Sequence, residues 1–173
     1  MITDELDNLL APVIESIPEQ RKRWEEQKAQ QSNQNMKESK SVVEIPPDCF
    51  FIEIPRKAYC WIVEKIPEGC VSSEESILEF FRSYLESKEP GCTEGAALAV
   101  ESATVLEEYD PKFPSWRLVS RYGLLRRTSD GLYPDEVQLR QEGLETESCG
   151  AGGKSRRVVD YKKHMADWSE LLK

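Results

Sequence analysis

Histidine is nearly missing from this chain: His164 is the only one in 173 residues. Zinc sites draw heavily on imidazole, so a metal centre is not expected, nor is any cofactor. The cysteines are scattered. Cys49, Cys60, Cys70, Cys92 and Cys149 form no pair at metal-ligand spacing. Their odd number and the lack of a secretory leader imply reduced thiols, in the nucleus or the cytoplasm. No apolar run approaches the roughly 20 residues of a membrane helix, so the chain is expected to be soluble, with no membrane partner. Positive charge is also short. Lys and Arg number 23 against 32 Asp and Glu, for a net charge of -9. A field of that sign repels nucleic acid and anionic lipid, so any DNA contact has to come from a local basic patch.

What is there fits one ordinary domain with an appendage. Hydrophobic residues make up 39% and charged residues 32%, a modest core with a polar extension. Residues 1–27 form an N-terminal helical segment. Thr3 is its candidate N-cap, and Asp4 and Glu5 follow in the first turn, where the helix dipole favours acids. Leu6, Leu9, Leu10, Val13, Ile14 and Ile17 recur at helical spacing. Pro12 and Pro18 predict a kinked or two-piece helix. Its leucine face has two readings: it packs on the main domain, or it binds a protein partner's groove. Residues 28–48 read as a polar linker with a short extended piece, Val42 to Ile45.

Residues 49–173 form the main domain. Ala58, Trp61, Ile62 and Ile66 predict a helix over 56–65. Ser72 or Ser73 caps a second helix that carries Ile77, Leu78, Phe80, Phe81, Tyr84 and Leu85. Thr93 opens a third, with Ala96, Ala97, Leu98, Val100, Ala103, Val105 and Leu106. Residues 116–119 and 123–127 read as strands around a turn. Asp135 to Glu142 suits a short helix with Gly143 at C′. Residues 157–159 are a strand candidate, and 164–172 a closing helix or tail. Between Lys88 and Lys112 there is no Lys or Arg, while Glu89, Glu94, Glu101, Glu107, Glu108 and Asp110 lie inside.

Five stretches in this order resemble the DNA-binding domain of O6-alkylguanine-DNA alkyltransferases and alkyltransferase-like proteins. Ile66-Pro67-Glu68-Gly69-Cys70-Val71-Ser72-Ser73 is similar to the family's I-P-x-G-x-V-S/A-T, and Pro114-Ser115-Trp116-Arg117-Leu118-Val119 to its P-C-H-R-V-I. Tyr122-Gly123-Leu124-Leu125 resembles its glycine turn, and Gln138 to Leu144 its helix end in E-G-V. Asp160 to Trp168 resembles its aromatic C-terminal segment. The resemblance implies an α+β, mainly helical, winged-helix-like domain with the N-terminal helix as an extension. It also implies a helix-turn-helix in the minor groove, and a flipped base held beside a reactive cysteine.

The family's chemistry does not carry over. The reactive cysteine position falls on Ser115 and the activating histidine on Trp116, so no catalytic residue remains and no small-molecule substrate is expected. Trp116 is expected in the core. The tyrosine that turns a phosphate falls on Glu74, the asparagine hinge on Ser120, and the arginine that replaces the flipped base on Leu98 or, in another register, on Glu94. A basic cluster persists in Arg117, Arg121, Arg126 and Arg127. The expected function is a non-catalytic, protein-binding adaptor in DNA repair or chromosome maintenance, using the leucine face. The alternative is a DNA-binding factor gripping the phosphate backbone through those four arginines.

Overall fold

A computed structural model describes residues 2–34, 49–101 and 113–169, with side chains from Asp4 to Gln30 in the first stretch. Helix α1 spans Ile2–Gln34, strand β1 Phe50–Ile54, helix α2 Arg56–Glu64, β2 Ser72–Ser73, α3 Glu74–Lys88 and β3 Ala96–Val100. A 3-10 turn at Ser115–Arg117 leads into β4 Leu118–Val119, followed by α4 Asp135–Gln141, β5 Thr146–Cys149 and β6 Ser155–Val158. The fold is α+β, with four α-helices and three two-stranded sheets among the described residues.

Helix α1 settles the two readings of its apolar face. Leu6, Leu10, Val13 and Ile17 are buried in one core with Ile52 and Ile54 of β1, Ile62 of α2, and Phe81, Tyr84 and Leu85 of α3, while Leu9 and Ile14 are partly buried against it. The face proposed for a partner is therefore covered by the chain's own domain. Each such side chain removed from water contributes about 1.5–3 kcal/mol. Polar contacts fix the register: Tyr84 donates its hydroxyl hydrogen to Asp7, Lys88 lies 2.6 Å from the same carboxylate, and Arg21 reaches the Gly91 carbonyl. The helix runs unbroken through Pro12 and Pro18 instead of splitting. Both prolines are exposed, on the side where water hydrates the carbonyls they leave unpaired. It also continues past residue 27 to Gln34, into the expected linker. The Val42–Ile45 piece lies outside the described residues.

Helices α2 and α3 form where the periodicity places them. Ser73 caps α3, its Oγ accepting from the Ser76 amide at 3.2 Å, with Glu74 and Glu75 in the first turn. The segment expected as the third helix differs. Ala96–Val100 is β3, paired in parallel with β1 from Phe50↔Ala96 to Ile54↔Val100. Alanine and leucine favour helix, but Gly95 at φ +73° breaks the chain just before, and pairing with β1 overrides propensity. The rest of that expected helix, residues 102–112, lies outside the described part. A helix-turn-helix with a recognition helix at 93–101 is thus not formed.

The second half is built on a smaller core of Val71, Val119, Leu125, Leu139, Leu144 and Val158. The strand expected at 116–119 is shortened to two residues because Pro114 opens a 3-10 turn. Residues 123–127 join the sheet only through a bridge from Leu124 to Arg157. Helix α4 ends as expected, with Gly143 at φ +83°. Strands β5 and β6 pair as a hairpin, Thr146↔Val158 to Cys149↔Ser155. Instead of a closing helix, the described tail holds a 3-10 turn at Tyr161–Lys163 and a bridge from Val71 to Met165. No helix among the described residues is long and apolar enough to cross a membrane.

If α1 is integral to the domain, Leu10→Ala removes a fully buried side chain (0% exposed) and is expected to cost about 2–5 kcal/mol. Urea unfolding should then show one cooperative transition at lower midpoint. A near-unchanged midpoint for the main transition would mean that α1 contributes nothing to the domain.

Candidate functional site

The parallel pair β2–β4 shapes a concavity at its end. Its register, Ser72↔Leu118 and Ser73↔Val119, sends Glu74 and Ser120 out side by side as the strands end. A cleft of about 280 Å³ opens there. Glu74, Ser115, Ser120 and Arg126 supply its polar groups, and Tyr59, Leu118, Val119, Leu124 and Leu125 line the rest. Three positions singled out by the family resemblance, Glu74, Ser115 and Ser120, thus converge on one cleft although they come from distant parts of the sequence. Leu98 does not join them; it pairs with Ile52 in the other sheet.

No cysteine or histidine lines the cleft, and Ser115 Oγ meets no base among the described residues. A serine hydroxyl without a base is a poor nucleophile. His164 does not line the cleft; its backbone carbonyl accepts from the Val71 amide at 2.8 Å.

A buried ion pair holds the cleft wall in place. Arg117 is 15% and Glu142 9% exposed at the side chain, with Arg117 Nη2 2.8 Å from Glu142 Oε1. Arg117 Nε donates to both carboxylate oxygens at 3.0 Å, and Nη1 donates to the Ile66 carbonyl at 2.6 Å. Glu142 also accepts from Trp116 Nε1 at 2.7 Å and from the Gly69 amide at 3.1 Å. Bidentate charge-assisted bonds of this kind are strong and directional. The carboxylate thus ties together the Ile66–Gly69 turn, the 3-10 turn and the end of α4. Trp116 is half-buried against the smaller core and anchored by its indole N–H.

The four arginines expected to touch DNA separate into two groups. Arg117 is consumed by Glu142 and is an internal strut, a correction to its reading as a phosphate contact. Arg126 sits 3.5 Å from the buried Asp135. Arg121 and Arg127 are exposed, and Arg121 lies 4.7 Å from the Tyr122 ring centroid. Sequence reasoning missed Tyr59, Glu142 as an anchor, and Asp135. For Glu142 a signal existed, since it sits in the E-G motif, but nothing local links it to Arg117. No family model, curated protein or solved structure matches the chain.

Two carboxylates carry opposite pH signatures. Burial raises Glu142, but the hydrogen bonds from Arg117, Trp116 and Gly69 outweigh it and hold the group below its ordinary 4.5. A depressed folded-state value means stabilisation that is present above 4.5 and lost as acid protonates the folded form. Glu142→Gln leaves Arg117 uncompensated and is expected to cost about 3 kcal/mol at neutral pH. In denaturant titrations the gap to the native protein should shrink as pH falls through the carboxylate range; a gap constant into strong acid would remove the ion pair as its cause. Burial pushes Asp135 the other way, above its ordinary 3.8, with Arg126 opposing, and its Oδ2 makes no hydrogen bond among the described residues. The charged form is therefore penalised at neutral pH and relieved below 3.8. Thermal unfolding of Asp135→Asn should show a gain of up to about 1 kcal/mol at neutral pH that vanishes in acid, whereas a clear loss at neutral pH would contradict it.

Proposed function

We propose that this chain is a non-catalytic, alkyltransferase-like module that serves as a protein-interaction adaptor, in a nuclear or cytoplasmic setting of DNA repair or chromosome maintenance. The observation that carries this reading is the composition of the cleft. Glu74, Ser115 and Ser120, positions the resemblance singles out, line one cleft, and this supports the reading of a scaffold whose reactive groups are replaced. A carboxylate facing a DNA phosphate is repulsive, and β3 occupies the segment where the resemblance implies a groove-reading helix. Both features weigh against a winged-helix reader of duplex DNA. The fold association with repair is an analogy, since fold does not fix function. The partner surface lies outside the leucine face, which the domain itself covers.

A second reading keeps a specific observation behind it. Arg121 and Arg127 are exposed and make no ion pair among the described residues, so backbone contact with DNA is the alternative, without Arg117.

Two measurements on the full chain separate these. Incubation with a duplex carrying a labelled O6-alkylguanine is expected to leave the protein unlabelled; transfer of label defeats the non-catalytic reading. Duplex binding followed by anisotropy at about 50 mM salt, where phosphate contacts are strongest, is expected to be absent or weak. Saturable binding with a steep salt dependence would favour the second reading over the first.

A further inference from the structure

The sequence spreads two basic stretches about thirty residues apart, and the fold puts them side by side. Residues 117–128 contain four arginines and no acid. Residues 154–163 contain three lysines and two arginines against one acid, Asp160. The Leu125 amide donates to the Arg156 carbonyl at 2.9 Å and the Val158 amide to the Gly123 carbonyl at 3.0 Å, around the antiparallel bridge from Leu124 to Arg157. The contact is locked at one end. Gly123, at φ +75°, lies so close to Tyr161 that a methyl group on it would sit 2.5 Å from the ring Cγ. The left-handed turn and the missing side chain are both required for the Tyr122–Gly123 corner to rest on that ring.

Within this platform the cations divide by whether they are used. Arg117, Arg126, Arg156, Arg157 and Lys163 are engaged by Glu142, Asp135, Glu136, Glu147 and Asp160 respectively. Arg121, Arg127, Lys154 and Lys162 are exposed and have no carboxylate partner among the described residues. Along the two antiparallel segments, Arg127 and Lys154 lie on one side of the bridge, and Arg121 and Lys162 on the other. Two unneutralised cations thus lie on each side of the bridge. Tyr122, 54% exposed, lies at the Arg121 end with that guanidinium over its ring.

We propose that this strip is the adaptor's docking surface, and that its partner is an extended Asp/Glu-rich protein segment, with carboxylates for the two cation pairs and an apolar side chain for Tyr122. The proposal rests on the adaptor reading and names its surface. Charge complementarity supports it: this is a concentrated positive strip on a chain of net charge -9. The same charge argues against duplex DNA, whose long, dense line of phosphates meets the repulsion of the whole molecule, whereas a short acidic segment is placed only against the strip. Within this strip four cations lack a carboxylate partner among the described residues, too few for a broad phosphate footprint, and Glu147 and Asp160 lie among them.

The test is fluorescence anisotropy with the full chain at about 50 mM and about 300 mM salt. Its probe is a labelled Glu/Asp-rich peptide about a dozen residues long with a central Leu, beside its Gln/Asn counterpart and a short DNA duplex. The acidic peptide is expected to bind at low salt and weaken at high salt. The double variant Arg121→Gln/Lys162→Gln should bind roughly fivefold more weakly, and so should Arg127→Gln/Lys154→Gln. A control with the same charge change elsewhere, Lys22→Gln/Lys57→Gln, should bind as the native chain does. All six positions are exposed, and thermal midpoints confirm that the variants fold. Absence of peptide binding, equal binding of the Gln/Asn peptide, equal loss in the control, or tighter binding of the duplex would each overturn the proposal. If the peptide fails while alkyl transfer and duplex binding are also negative, this surface is discarded and the adaptor reading survives. A tighter duplex discards both.

Discussion

The Arg117–Glu142 pair is the constraint on which the second half of the domain depends. One carboxylate receives hydrogen bonds from an arginine, an indole and a backbone amide, and these tie two separated segments, the 3-10 turn and the Ile66–Gly69 turn, to the end of α4. Without it, the 3-10 turn at Ser115–Arg117 has little to hold it, because only two rungs join β2 to β4. The smaller core contains six buried side chains, a limited source of hydrophobic stabilisation for the loops that surround it. A directional polar clamp compensates for the small apolar area by fixing geometry. Its cost is desolvation of two charges, offset by the bidentate contact, by the indole and amide bonds to Glu142 and by the bond from Arg117 to the Ile66 carbonyl.

The same clamp helps the cleft keep its shape. Ser115, Glu74 and Ser120 hold their relative positions through β2, β4 and the turn. The apolar part of the wall, Tyr59, Val119 and Leu125, belongs to the two cores, whereas Ser115, Glu74 and Ser120 lie outside them. Architecture and reactivity are separable here, because hydrogen bonds from backbone and anchor residues position the wall.

Much of the fold was legible, for local reasons. Helices α2 and α3 announce themselves by periodicity, and Ser73 with Glu74 and Glu75 marks a helix start. Helix α4 ends at a glycine. The failures share a cause in long-range pairing. Ala96 to Val100 has helix-favouring side chains, and only β1, over forty residues earlier, makes it a strand. The apolar stripe of α1 reads the same whether it faces its own domain or a partner, so composition could not choose. At the site, the positions were legible through motif order and the roles were not. Arg117 looked like a surface cation because Glu142 lies twenty-five residues away, beyond the reach of any local pattern.

The burial of α1 carries a further consequence. Its inner face is shared with β1, α2 and α3, so nothing can take hold of Leu6, Leu10 or Ile17 until the helix lifts away. A binder selected against a peptide copying those residues would recognise the intact chain with an affinity scaled down by the small population in which α1 is released. Such a reagent would therefore report the opening of the domain's edge rather than the presence of the protein.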